Sequence, residues 1–138
     1  MSLVLDSSVT LAWLYSSEGT AAVDQVFERV TETRAWVPTL WRLEVANSLL
    51  MAVRTKRITA EFRDQSLADL ALLNIRADPD TETSAWSTTL RLAERHRLTI
   101  YDAAYLELAH RLGLPLATLD QELRTAAATL GIPLLGKD

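Results

Sequence analysis

The sequence contains no cysteine. That single absence removes disulfides, thiolate zinc sites and thiol nucleophiles together, so any metal must be held by oxygen or by the two histidines, His96 and His110. Neither histidine has a partner at ligand spacing, and both read as surface residues. Long apolar runs are missing too: no stretch approaches the ~18 residues a membrane span needs. The first apolar run is short and ends at Asp6, leaving no room for a charged segment, an apolar segment and a cleavage site. A soluble, cytoplasmic protein with no membrane partner is expected. An excess of positive charge is also lacking. The formal net charge of −4 excludes a protein that coats nucleic acid through bulk charge, but not one that grips it locally.

What is present fits one domain spanning residues 1–138, with an apolar fraction of 49% and enough length to bury a core without staples. Leu3 to Leu5 is a short strand-like run bounded by Asp6-Ser7-Ser8, where a helix should begin with Val9, Ala12 and Trp13 on its buried side. Helical periodicity returns from about Ala21 to Thr33, and Ala35-Trp36-Val37-Pro38 reads as the next strand. A long apolar helix follows from Leu40 to Val53, with Glu44 in its opening turn. It is apolar around too much of its circumference for a surface helix. Thr59 should cap a helix from Ala60 to Leu73, Ile75 to Ala77 a strand, Asp78-Pro79-Asp80 a turn, and Glu82 to His96 another helix.

The remaining chain repeats one joint. Leu112-Gly113-Leu114-Pro115-Leu116 and Leu130-Gly131-Ile132-Pro133-Leu134 each place a glycine able to end a helix in the left-handed region, then a proline unable to continue it. The first joint ends a helix with Asp102 in its first turn and Ala104, Leu108, Ala109 and Leu112 along a buried stripe. A short strand then runs into Asp120, a helix covers Gln121 to Leu130, and Pro133 to Leu135 is a final strand.

Helices alternating with short, wholly apolar strands predict an α/β fold, a three-layer α/β/α sandwich around a short, mainly parallel sheet. Ligands of such folds bind beyond the carboxyl ends of the strands. Asp6 and Asp120 end strands, and Glu44 and Asp102 open helices, so all of them can reach that edge. Carboxylates packed together without a basic partner repel by several kcal/mol, by the order of magnitude of Coulomb's law at low effective dielectric. Such an arrangement calls for a cation, and an oxygen-only donor set suits Mg²⁺ or Mn²⁺.

The segments Val4-Leu5-Asp6-Ser7-Ser8, Val37-Pro38 with Leu43-Glu44-Val45-Ala46-Asn47, Tyr101-Asp102-Ala103-Ala104-Tyr105-Leu106 and Ala117-Thr118-Leu119-Asp120 together resemble the PIN-domain nucleases. The resemblance is strongest to the VapC toxins of bacterial toxin-antitoxin pairs, and it covers essentially the whole chain. It implies a PIN-like fold and a divalent-metal-dependent endoribonuclease that acts as a homodimer and is held inactive by a cognate VapB-type antitoxin. The family's acidic positions fall on Asp6, Glu44, Asp102 and Asp120, the implied metal ligands and catalytic groups, and its hydroxyl positions on Ser8 and Thr118. Two roles stay open for Ser8 and Thr118: hydrogen bonding to a phosphate or a metal-bound water, or capping and a strand-end turn. Asn47, three residues after Glu44 on the same helix face, is a candidate partner that steadies it. The family pattern does not fix Trp41 and Arg42.

Arg54, Lys56, Arg57, Arg91, Arg95 and Arg97 are either phosphate contacts or solvated charge, and Trp13, Trp36, Trp41 and Trp86 either stack on bases or pack. Two other function classes compete with the nuclease. One is a phosphatase-like or phospho-acceptor domain with Asp6 as nucleophile, against which stands the lack of a second Asp two residues on. The other is a non-catalytic module that keeps the PIN fold only, against which stands the intact set of acids.

Overall fold

The computed structural model describes residues 2–138. Five strands, β1 (Leu3–Leu5), β2 (Ala35–Val37), β3 (Ile75–Ala77), β4 (Leu116–Ala117) and β5 (Leu134–Leu135), form one sheet in the order β3-β2-β1-β4-β5. Every pairing is parallel, with Val4 opposite both Trp36 and Leu116. The sheet is therefore parallel throughout rather than mainly so. Its central strands can be this short and this apolar because both their faces are covered: all three residues of β1 are fully buried, as are both residues of β4, whereas edge strand β3 carries Arg76, is largely exposed and so is not wholly apolar as expected.

The connections explain where a ligand belongs. β1 leads to β2 through α1 (Ser7–Leu14) and α2 (Ala21–Glu32), and β2 leads to β3 through α3 (Trp41–Arg54) and α4 (Ala60–Ala71), each step moving outward on one side. From β4 the chain passes through α8 (Gln121–Thr129) to β5, outward on the other side. Right-handed crossovers in opposite directions put their helices on opposite faces. The direction reverses between β1 and β4, so a crevice opens past their carboxyl ends.

Helix α7 (Ile100–Leu112) lies against β1 and β4 on one side and against α6 (Leu90–His96) and α8 on others. Every residue from Ala103 to Ala109 is consequently buried, a wider band than the expected stripe, whose last member, Leu112, is partly exposed. Thr99 caps α7 by accepting the Asp102 N–H at 3.1 Å, and Gly113 ends it at φ +66°. Gly131 ends α8 in the same way at φ +70°. The helix expected from Glu82 to His96 is continuous from α5 (Thr81–Ser84) into α6, but it contains a π-helical turn at Ala85–Thr89 that periodicity does not reveal.

Asp78 differs more from its expected role. It is 3% exposed, and Arg111 on α7 binds it at 2.6 and 3.3 Å while also binding Glu107 at 2.8 and 3.0 Å. A segment that reads as a surface turn is thus riveted to the central helix. Burial alone would raise the Asp78 carboxyl; hydrogen bonds from Arg111, the Asp80 N–H and Thr81 pull it below its usual value. No helix among the described residues is long and apolar enough to cross a membrane.

Candidate active site

Asp6 is the residue at which β1 becomes α1. Its backbone is extended, its N–H continues the sheet by donating to the Ala117 carbonyl at 3.0 Å, and its side chain is not used as a helix cap. The carboxylate, 5% exposed, instead accepts the hydroxyls of Ser8 and Thr118 on one oxygen, Oδ2, at 2.7 Å each. Each hydroxyl has a single proton. Ser8 and Thr118 donate theirs to Asp6 while accepting the N–H groups of Leu119 (2.9 Å) and Asp120 (3.0 Å). In this arrangement both side chains hold Asp6 and shape the end of β4, and each keeps a second lone pair that can accept a hydrogen bond. Oδ1 of Asp6 has only a long contact of 3.5 Å from Ser7 and keeps lone pairs for the crevice.

Asp120 follows β4 and opens α8, where its Oδ1 accepts the Leu123 N–H at 2.9 Å. It is a true N-cap as well as an edge acid. Asp102 sits in the first turn of α7, and Glu44 in the first turn of α3. Each of the four lies within electrostatic range of at least one other. Asp6 is raised by burial and by Asp120, against the lowering effect of its hydroxyl donors. Glu44 is raised by burial and by Asp6 and Asp102. Asp102 is pushed up to about 6 by burial and by Asp120, Asp6 and Glu122. No arginine or lysine is among the groups that shift these three.

Two residues outside the sequence-predicted set belong to this site. Glu122 adds a further negative charge beside Asp102. Tyr105, 0% exposed, donates its phenol to Glu44 Oε1 at 2.5 Å. Its signal in the sequence is the spacing of three from Asp102, which puts both on one helical face. Asn47 is exposed, and the group bonded to Glu44 is Tyr105 instead. Trp41 is buried at 6% exposure and ties α3 to α1 through Nε1 to Thr10 Oγ1 at 3.1 Å, whereas Arg42 is exposed. Of the tryptophans only Trp86, 94% exposed, stands clear of the body. His110 is exposed as expected, but His96 has its Nε2 buried without a hydrogen-bond partner.

The family model of the PIN domain matches residues 3–128. The chain belongs to the PIN domain family. It is 27% identical over 133 residues to Ribonuclease VapC3 of Pyrobaculum aerophilum, covering 96% of this chain and all of that protein. Its fold is similar to the crystal structure of PAE2754 from Pyrobaculum aerophilum, with a TM-score of 0.62, 24% identity, and coverage of 91% of this chain and 87% of that one. In this PIN domain the donor set facing the crevice is made of carboxylate oxygens only, which fits a hard divalent cation. Among the described residues, no three His, Cys, Asp or Glu side chains stand close enough to hold an ion as they are placed. The acids lie within electrostatic range of one another without closing into a cage.

Proposed function

We propose that this chain is a divalent-metal-dependent endoribonuclease, the VapC-type toxin of a toxin-antitoxin pair. The observation that carries the reading is the match to the PIN-domain family over residues 3–128 with Asp6, Glu44, Asp102 and Asp120 at element ends by the switch point of the sheet, where burial and neighbouring acids raise Asp6, Glu44 and Asp102. Acids held in this state have a use when a cation and a phosphodiester share the crevice.

Bound Mg²⁺ or Mn²⁺ supplies a water of lowered pKa and neutralises charge on the phosphate and the leaving oxygen. Asp6, held through Oδ2, offers Oδ1 as a fixed ligand. Glu44 is steadied by Tyr105, and Asp120 keeps one oxygen free beyond its capping bond. Asp102, in the first turn of α7, would complete the oxygen donor set and help to orient the water. The chain acts as a homodimer restrained by a VapB-type antitoxin. The reading is supported by a groove of about 390 Å³ between α3 and α4, lined by Trp41, Val45, Leu67, Leu70 and Ile75, and by the exposure of Leu43 (76%) and Leu72 (85%). A monomer by light scattering at micromolar concentration would remove the dimer from this proposal.

The test is cleavage of a structured RNA with single-stranded loops by purified protein in Mn²⁺. Cleavage is expected to stop with EDTA and in Asp6→Asn, which keeps the shape and loses ligand charge. An Asp6→Asn protein cutting at the wild-type rate, in matched preparations, overturns the assignment. Release of phosphate from a chromogenic monoester, without RNA cleavage, would favour the phosphatase-like alternative.

A further inference from the structure

We infer, resting on the metal-site reading above, that Tyr105 is a positioning residue: its buried phenol fixes the Glu44 carboxylate in the acidic crevice and so preorganises the site for a divalent cation.

Glu44 is carried by α3, across the crevice from α7, and it is only partly buried. The charges of Asp6 and Asp102 push against it. A flexible side chain that is repelled from the crevice and has open solvent on the other side will swing outward unless something holds it. Ser8 and Thr118 do this for Asp6, and the α8 capping bond does it for Asp120. For Glu44 the holder is Tyr105, whose hydroxyl donates to Oε1 across 61 residues of sequence. The ring is fully buried in the body of α7, so the phenol cannot follow Glu44 outward. A neutral donor is the right group for this place. Lysine or arginine would hold Glu44 equally well but would compete with the cation, whereas a phenol leaves the negative charge available.

The test uses full-length protein and Mn²⁺ alone, with binding followed by calorimetry in parallel with RNA cleavage. Tyr105→Phe keeps the ring and removes the hydroxyl. It is expected to weaken Mn²⁺ binding about tenfold, within the usual range for groups that orient a ligand, and cleavage at saturating Mn²⁺ should recover more than at low Mn²⁺. In a Glu44→Gln background the same substitution should change Mn²⁺ affinity no further, because its effect acts through Glu44. Glu44→Asp draws the carboxylate back from the phenol while keeping the charge; it should reproduce the loss and serves if Tyr105→Phe does not fold. Wild-type Mn²⁺ affinity in Tyr105→Phe, or an equal loss with and without Glu44, overturns the positioning role while leaving the metal site standing. Absence of Mn²⁺ binding by the wild-type protein overturns both.

Discussion

Replacing Asp102 by asparagine tests the crevice by thermodynamics alone, without reference to any substrate. Its carboxyl is raised from 3.8 to about 6 in the folded chain. At ~1.4 kcal/mol per pH unit the gross effect is about 3 kcal/mol, and because the group is partly exposed solvent screening reduces it to ~1–2 kcal/mol. The folded state holds a proton that the unfolded state has already lost between pH 4 and pH 6. Stability of the metal-free protein therefore falls as pH rises through that window and levels off above it. The Asp102→Asn side chain cannot ionise, so the variant escapes this loss, although it forfeits ~0.3–1 kcal/mol of favourable charge at the start of α7. The helix keeps its cap in either case, because Thr99 supplies it.

In EDTA at pH 7, Asp102→Asn should thus be more stable than wild type by ~1 kcal/mol, or about 3–5 °C in Tm for a chain of this size. The advantage should vanish near pH 4. Mn²⁺ should stabilise the wild type by an amount growing with the logarithm of its concentration, and the variant by less. Thermal melts at pH 4, 5, 6 and 7, each with EDTA and with millimolar Mn²⁺, measure all of this. A variant that is less stable than wild type at pH 7 in EDTA, with an undiminished response to Mn²⁺, would refute the shared crevice.

Thr118→Val removes one of the two donors to the buried Asp6 carboxylate at nearly constant volume. It should cost ~1.5–3 kcal/mol in urea unfolding at pH 7, as expected for a hydrogen bond to a charged group. Arg111→Met leaves Asp78 and Glu107 buried and unpaired; allowing for the partial exposure of Arg111, a loss of ~2–4 kcal/mol is expected. Because the Asp78 carboxyl is held below its usual 3.8, its share of that difference should be full above pH 4 and disappear as pH falls below it. A gap between Arg111→Met and wild type that does not narrow in acid would show that the guanidinium acts by packing only.

The sequence made the elements legible because each carries its own local signal. Apolar triplets bounded by turn residues became β1 and β2, and the two glycine–proline joints became the ends of α7 and α8. The four acids were legible from their places at element ends. What stayed hidden depends on residues distant in sequence. Tyr105 reads as core until its phenol is found against Glu44, and Asp78 reads as a turn residue until Arg111, 33 residues away, is found against it. Glu122 is one of several acids on an exposed helix face until Asp102 is seen nearby. The hold of Ser8 and Thr118 on Asp6 was hidden as well, because no spacing records that two hydroxyls 110 residues apart meet the same oxygen. The π-helical turn leaves no trace in periodicity because it adds a single residue to one turn.

The hydrogen bond from Thr118 to Asp6 spans 112 residues of sequence. During synthesis the N-terminal side of such a pair emerges first, at ~5–20 residues per second. β1 and Asp6 thus leave the ribosome well before β4, and β1 has one neighbour missing until Leu116 and Ala117 follow. Asp102 and Asp120 come after Asp6 and Glu44 as well. In the interval the nascent chain holds one or two of the four acids and neither the strand nor the hydroxyl that fixes the first of them. The crevice is completed only after β4 and Asp120 have been made, so no fragment ending before β4 can contain it.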